Sequence, residues 1–236
     1  MGASGVMAVV PGMVLLGYTV HQSIGASLAV DMMASTVVAG TFYRQGQVAL
    51  REGAVMAVAA VLGAQLGSHF SSYVPEVELG GGFGLVLIGT AVLLWRNGKQ
   101  ENMQFLQGSS IPKRLQSHPN LSRLLIGLYG GVYCGLFGAG GGTFFLLALL
   151  LLGMSLHQAV GTSTMVMALT TASGALAHAA ILPLPILTVT GIGCGTLAGS
   201  YASARLATRL DEQRLIRIVA AVFAVLGVVV LISAFG

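Results

Sequence analysis

Five glycines fall within eight residues at Gly135-Leu136-Phe137-Gly138-Ala139-Gly140-Gly141-Gly142. A run of this kind breaks a helix and frees backbone N–H groups. A helix starting after it, over 142–153, would carry free donors and about half a positive charge at its first turn. Gly138, Gly140, Gly141 and Gly142 are therefore read as an anion-binding backbone that needs no charged side chain. Close helix packing at small residues is the competing reading. Gly2-Ala3-Ser4-Gly5 would supply a second such end through Gly2, Ser4 and Gly5. Small polar clusters follow each break: Ser23 and Ser27 in one case, Gly161-Thr162-Ser163-Thr164 in the other. Ser27, Thr162 and Ser163 can donate to an oxyanion, or bond to the carbonyl one turn back; both readings stay open.

Two titratable residues extend this chemistry to protons. Asp31 is the only carboxylate inside an apolar span. A buried acid in lipid is costly and marks a functional position by default, so Asp31 is a candidate proton-coupling group, against a hydrogen-bonded structural role. His178 sits late in its span, as a proton relay or as a satisfied interfacial histidine. His21 and His157 stand at helix starts, where capping or an interfacial position is expected. Gly2-Ala3-Ser4-Gly5 also fits the GxSG pattern of an intramembrane serine protease, with His178 as the base that such a nucleophile needs. Cys134 and Cys194 lie in apolar segments and read as packing residues. No CxxC or Cys/His cluster is present, so no metal and no cofactor is expected.

The elements that would position these groups follow from composition. Of 236 residues 55% are hydrophobic and 8% charged, with mean hydropathy +0.87. Soluble domains carry about 25% charged residues, so the chain reads as an all-α polytopic membrane protein. That excludes soluble enzymes, nucleic-acid binders and secreted disulfide scaffolds. Full-length apolar stretches run over 22–42, 52–73, 79–95, 158–180, 184–207 and 214–235. Two regions are interrupted: 5–17 is too short for a full span, and 123–153 is cut by its glycines. Three units result: a first membrane repeat at 1–95, a cytoplasmic linker at 96–122 and a second membrane repeat at 123–236.

The two membrane segments are related. Gly17, His21-Gln22, Gly25 and Ser27 coincide with Gly153, His157-Gln158, Gly161 and Ser163 at an offset of 136. The same offset places Gly2-Ala3-Ser4-Gly5 on Gly138-Ala139-Gly140-Gly141 and Asp31 on Met167, so any role of Asp31 is not symmetric. Gly63, Gly67 and Ser68 match Gly195, Gly199 and Ser200 at an offset four shorter. If 123–153 folds as a re-entrant hairpin, Arg44, Arg51, the linker and Arg205–Arg217 share the cytoplasmic side, in accord with the positive-inside rule. Each repeat is then three spans plus a glycine-broken hairpin, and the second is inverted relative to the first; eight simple spans are the alternative. The first repeat begins already inside its break, so its first arm is expected to be missing.

The Gly138-Ala139-Gly140-Gly141-Gly142 break, with Ala159-Val160-Gly161-Thr162-Ser163 downstream, resembles the sulfite exporter TauE/SafE family. His178 and the helix of Gly195 and Gly199 sit where that family's pattern places similar residues. The first-half motif departs from the pattern at Ser4 and Val6, where glycines are usual. The resemblance covers nearly the whole chain. It implies a multi-pass protein of the bacterial plasma (inner) membrane that transports small anions, often sulfur oxyanions such as sulfite or organosulfonates such as sulfoacetate, and is not an enzyme. The expected partners are a small anionic substrate and the lipid bilayer. Nucleic acid is excluded and a homodimer is left open. A non-transporting or truncated membrane subunit is the alternative.

Overall fold

The structure, a computed structural model, describes residues 9–96, 119–138, 141–181, 183, 185–207, 221–222 and 224–232. Among these the chain is helical and contains no strand. The helices are α1 (Val9–Leu15), α2 (Val20–Arg44), α3 (Leu50–Ser71), α4 (Glu76–Arg96), α5 (Pro119–Phe137), α6 (Gly142–Leu151), α7 (Leu156–Ile181) and α8 (Ile186–Ala207). Helical turns recur at 221–222 and 224–232. Three helices are long and apolar enough to cross a bilayer: Val20–Arg44, Leu50–Ser71 and His157–Ile181.

Helices α3 and α5 turn large apolar side chains outward. Val58, Leu62, Leu66 and Phe70 of α3 are exposed, as are Leu125 and Tyr129 of α5. The interior holds Ala57, Ala60 and Ala64 with the polar Ser27, Asp31, Ser68, Ser71, Thr171 and His178. Lipid tails are as apolar as leucine, so helix association rests on close backbone approach and hydrogen bonds. Helices α3 and α5 form such a seam. A Cβ at Gly127, Gly131 or Gly135 of α5 would strike the carbonyls of Met56, Ala60 and Ala64 in turn. One at Gly63 or Gly67 of α3 would strike the carbonyls of Leu128 and Val132. The rising order of both number series makes α3 and α5 parallel. Both therefore start at the end where Arg44 and Arg51 are exposed.

Helix α7 also starts at that end. Thr162 and Met165 lie at Gly53, and Gln65 Nε2 donates to Ser173 Oγ at 2.9 Å further along α3. Against α2 it runs antiparallel, with Gly174 on Leu28 and Gly161 on Phe42. Helix α6 folds back along α5. The Phe144 ring lies 5.7 Å from that of Tyr129, and a Cβ at Gly130 would reach Phe145 at 2.6 Å. The chain thus reverses between Phe137 and Gly142.

Local geometry recurs at the offset of 136. After α1, Leu16, Gly17 and Tyr18 donate N–H to the carbonyls of Gly12, Val14 and Met13; after α6, Leu152, Gly153 and Met154 donate to those of Ala148, Leu150 and Leu149. Gly17 and Gly153 have φ of 87° and 90°, left-handed values suited to glycine at a helix C-terminus.

One boundary differs from the sequence expectation. Helix α5 begins at Pro119, inside the segment assigned to the linker. Proline is preorganised for a first helical position, and Asn120 and Ser122 extend the helix through polar sequence. At 19 residues it spans about 28 Å. The break therefore emerges opposite Ile24, one turn inside α2.

Candidate anion site and its buried polar file

The glycine break is built from three elements. Gly138 ends α5 with φ of 62°, its N–H bonded to the Cys134 carbonyl at 2.8 Å. A Cβ there would meet Ile24 at 3.0 Å. Ser27 Oγ donates to the Gly138 carbonyl at 3.0 Å in a buried contact, so α2 braces the break that follows α5. Gly141 caps α6 without any side-chain hydrogen bond. Its own N–H points back to Cys134 Sγ at 3.1 Å, and the first intrahelical bond runs from Phe145 N–H to the Gly141 carbonyl. The amides between Gly141 and Phe145 are the uncommitted first-turn donors that any α-helix exposes. A Cβ on Gly142 would meet Met167 Sδ at 2.7 Å, which places the repeat counterpart of Asp31 against the start of α6.

Asp31 lies one turn beyond Ser27 on α2 and is 2% exposed. Its Oδ2 has no hydrogen-bond partner. His178 is 3% exposed and bonds through Nε2 to the Gly135 carbonyl at 3.0 Å. A carbonyl only accepts, so Nε2 carries the proton and Nδ1 is the free base. His178 thus engages backbone at the end of α5.

The hydroxyl clusters divide. Ser23 donates to the Thr19 carbonyl at 2.8 Å, and Ser163 to the Val160 carbonyl at 3.0 Å; both follow the local back-bonding pattern. Thr162 Oγ1 accepts the Ala49 N–H at 3.0 Å and so ties α7 to the start of α3. Among the nominated hydroxyls that are described, Ser27 alone reaches the break. Gly2, Ser4, Gly5 and Gly140 lie outside the described residues.

Several participants had no signal in the sequence reading. The cap of α2 is Thr19, in a capping box with Gln22, which leaves His21 free to reach across the bundle. His21 Nε2 donates to the Ser71 carbonyl at 2.8 Å, and Nδ1 lies 3.4 Å from Glu76 Oε1. Ser68 and Ser71 are fully buried and their hydroxyls have no partner. A groove of about 410 Å³ lies elsewhere, between α2 and α7, lined by Met32, Thr36, Tyr43, Met165 and Leu169. It is mostly apolar, and Thr36 spends its hydroxyl on the Met32 carbonyl, so the Tyr43 hydroxyl is the side-chain donor left among these lining residues. No group of metal-ligating side chains occurs among the described residues.

Comparison with known proteins agrees with this architecture. A curated relative, the probable membrane transporter protein YdhB of Bacillus subtilis (strain 168), is 24% identical over 209 residues, covering 86% of this chain and 82% of its own length. No solved structure matches. The family described as sulfite exporter TauE/SafE matches residues 1–230. That match covers nearly the whole chain, and the chain belongs to the sulfite exporter TauE/SafE family, a family of multi-pass membrane transporters.

Proposed function

We propose that this protein is a secondary transporter of small anions, with sulfur oxyanions and organosulfonates, sulfite and sulfoacetate among them, as its substrate class. The observation that carries the reading is the reversal between Gly138 and Gly142. It opens a helix start without a side-chain cap in a bundle that also holds a buried carboxyl with an unpartnered oxygen, Asp31. Helix starts hold anions through backbone donors and the helix dipole. Irregular backbone at membrane depth is tolerated where protein buries it or a cavity meets it.

In this reading α5 and α6 are a re-entrant hairpin, and the repeats are inverted. The antiparallel course of α2 and α7, counterparts at offset 136, supports that arrangement. Rocking of two such halves about a shared site gives alternating access. Asp31 couples the anion to a proton. Ionised, it repels an oxyanion at α6; protonated, it becomes a donor toward one. Each ligand then raises the affinity for the other by the same factor, as linkage requires. The test is sulfite flux into proteoliposomes holding the full chain. Saturable uptake that follows an imposed pH gradient is expected. Absence of sulfite, sulfonate and carboxylate flux would sink the reading.

A further inference from the structure

The bundle holds two apolar clusters built to one plan. One joins Phe145 and Leu149 of α6 to Val166 of α7 and to Ala57 and Ala60 of α3. The other joins Val9 and Met13 of α1 to Val30 of α2 and to Val189 and Ile192 of α8. These are counterparts position by position, at the offset of 136, or four fewer for α8 against α3 as for Gly195 against Gly63. The clusters differ on one side. Cys134 and Ile126 of α5 close the first, whereas the second has no corresponding helix among the described residues.

The outer faces show the same difference. Ala59 and Gly63 of α3 lie against α5, at Gly127 and at the Leu128 carbonyl. Their counterparts on α8 are Gly191 and Gly195. Both are exposed, and nothing lies within 4 Å of a Cβ at either. The opposite side of α8 is occupied, since a Cβ at Gly193 would meet Met33 Sδ of α2 at 3.0 Å. No charged residue occurs over 186–200, so the open face suits membrane depth. No apolar stretch of the sequence is left to cover it. The last one, 214–235, reappears at 221–222 and 224–232, where Gly227 packs on Gly84 of α4.

Small residues on a helix name no partner by themselves. Here the matching face of α3 does: it takes α5, in parallel and backbone on backbone. We infer that Gly191 and Gly195 form the seat of one further transmembrane helix, the first repeat's counterpart of α5, supplied from outside residues 1–236. Its chemistry follows from the seam it copies. It is apolar and long enough to span, runs parallel to α8, and turns small residues at four-residue spacing toward the two glycines. In lipid, close backbone approach rather than apolar bulk associates helices, and the open face offers such an approach. Docking there closes the cluster of Val9, Met13 and Val30, and so steadies α2, the helix of Ser27 and Asp31. The seat follows from the internal repeat alone and does not depend on anion transport, so a failure to carry sulfite leaves it standing.

The experiment adds a probe helix to the full chain in detergent: a fluorescent synthetic peptide with the sequence of residues 113–138, which includes α5. Saturable binding and a rise of Tm with peptide concentration are expected, because a ligand of the folded state stabilises it by mass action. Gly195→Ile points its side chain into open space, so without peptide its Tm should equal that of the wild type. Its peptide affinity should fall about tenfold or more, since the backbones can no longer meet. A peptide with isoleucine in place of Gly127, Gly131 and Gly135 should bind neither protein. No saturable binding to the wild type would overturn the seat. Equal binding by Gly195→Ile would overturn it too, because the peptide would then sit elsewhere, for example in exchange with α5. A lower Tm of Gly195→Ile without peptide would mean that the face is already covered. Dimers linked through Cys194 on mild oxidation, and lost in Gly195→Ile, would give the face to a second copy of the chain instead.

Discussion

Gly131 of α5 lies with its Cα against the Ala60 carbonyl of α3, so close that no side chain fits between the two helices. Gly127 and Gly135 repeat the contact one turn to either side. Gly131→Ala must therefore part the backbones. Overpacking of this kind costs about 1–3 kcal/mol. Gly40→Ala is the matched control, since nothing lies within 4 Å of a Cβ there. Thermal unfolding in detergent should show Tm falling by about 2–4 °C per kcal/mol for Gly131→Ala, with no fall for Gly40→Ala. Equal Tm values would mean the seam is looser than described.

Gly17 and Gly153 make a second, independent claim on stability. Each closes a short helix with a left-handed φ, 87° and 90°, and nothing lies within 4 Å of a Cβ at Gly17. The cost of alanine at Gly17 is therefore conformational alone, about 1–2 kcal/mol. Gly153→Ala should cost the same if the two turns are copies of one design. A Tm change for one and none for the other would break the equivalence.

Much of this was legible in the sequence, for physical reasons that also mark where legibility ends. The break announced itself through five glycines in eight residues, although glycine density alone does not end a helix, since α4 runs on through Gly80-Gly81-Gly82-Phe83-Gly84. Asp31 stood out because it lies in the middle of its span, whereas Glu52 stands in the first turn of α3. The recurrence at 136 was visible at His21-Gln22 and His157-Gln158, and the hydrogen bonds after α1 and α6 follow it residue for residue. The start of α5 was misplaced because Asn120, Ser122 and Arg123 look like linker, although Pro119 is a good first helical residue. The role of His21 was hidden for a different reason. Its partners Ser71 and Glu76 lie 50 and 55 positions away, and no periodicity within one helix reports a contact across three. Gly127, Gly131 and Gly135 carried a four-residue spacing, but spacing alone names no partner helix.

At the break, Gly141 offers the sharpest test of backbone binding. A Cβ there would meet Cys134 Sγ at 2.8 Å and the Phe145 ring at 3.0 Å, so Gly141→Val shifts the first turn of α6. Misplacement of a binding group by about 1 Å can cost a hundredfold in rate, and sulfite flux should fall by about that much. Gly142→Ala presses instead on the flexible thioether of Met167, which can swing aside, and should lose far less. Adding Cys134→Ala to Gly141→Ala removes the sulfur in the way and should recover part of the flux. Equal flux in wild type and Gly141→Val would place the anion elsewhere.

Asp31→Asn separates binding from coupling. The amide matches the carboxyl in volume, and Oδ2 has no hydrogen bond to lose, so the bundle should fold and the α6 start should keep its donors. An amide is also permanently neutral and can donate, as the protonated carboxyl does in the proposed anion-loaded state. Exchange of labelled sulfite at equal pH should therefore persist and lose its dependence on pH. Accumulation driven by a pH gradient should vanish, because nothing remains at that position to gain or release a proton. The discriminating measurement is the ratio of accumulation to exchange in the same vesicles. Loss of both together would make Asp31 part of the binding surface, whereas retention of both would move the coupling proton to another group.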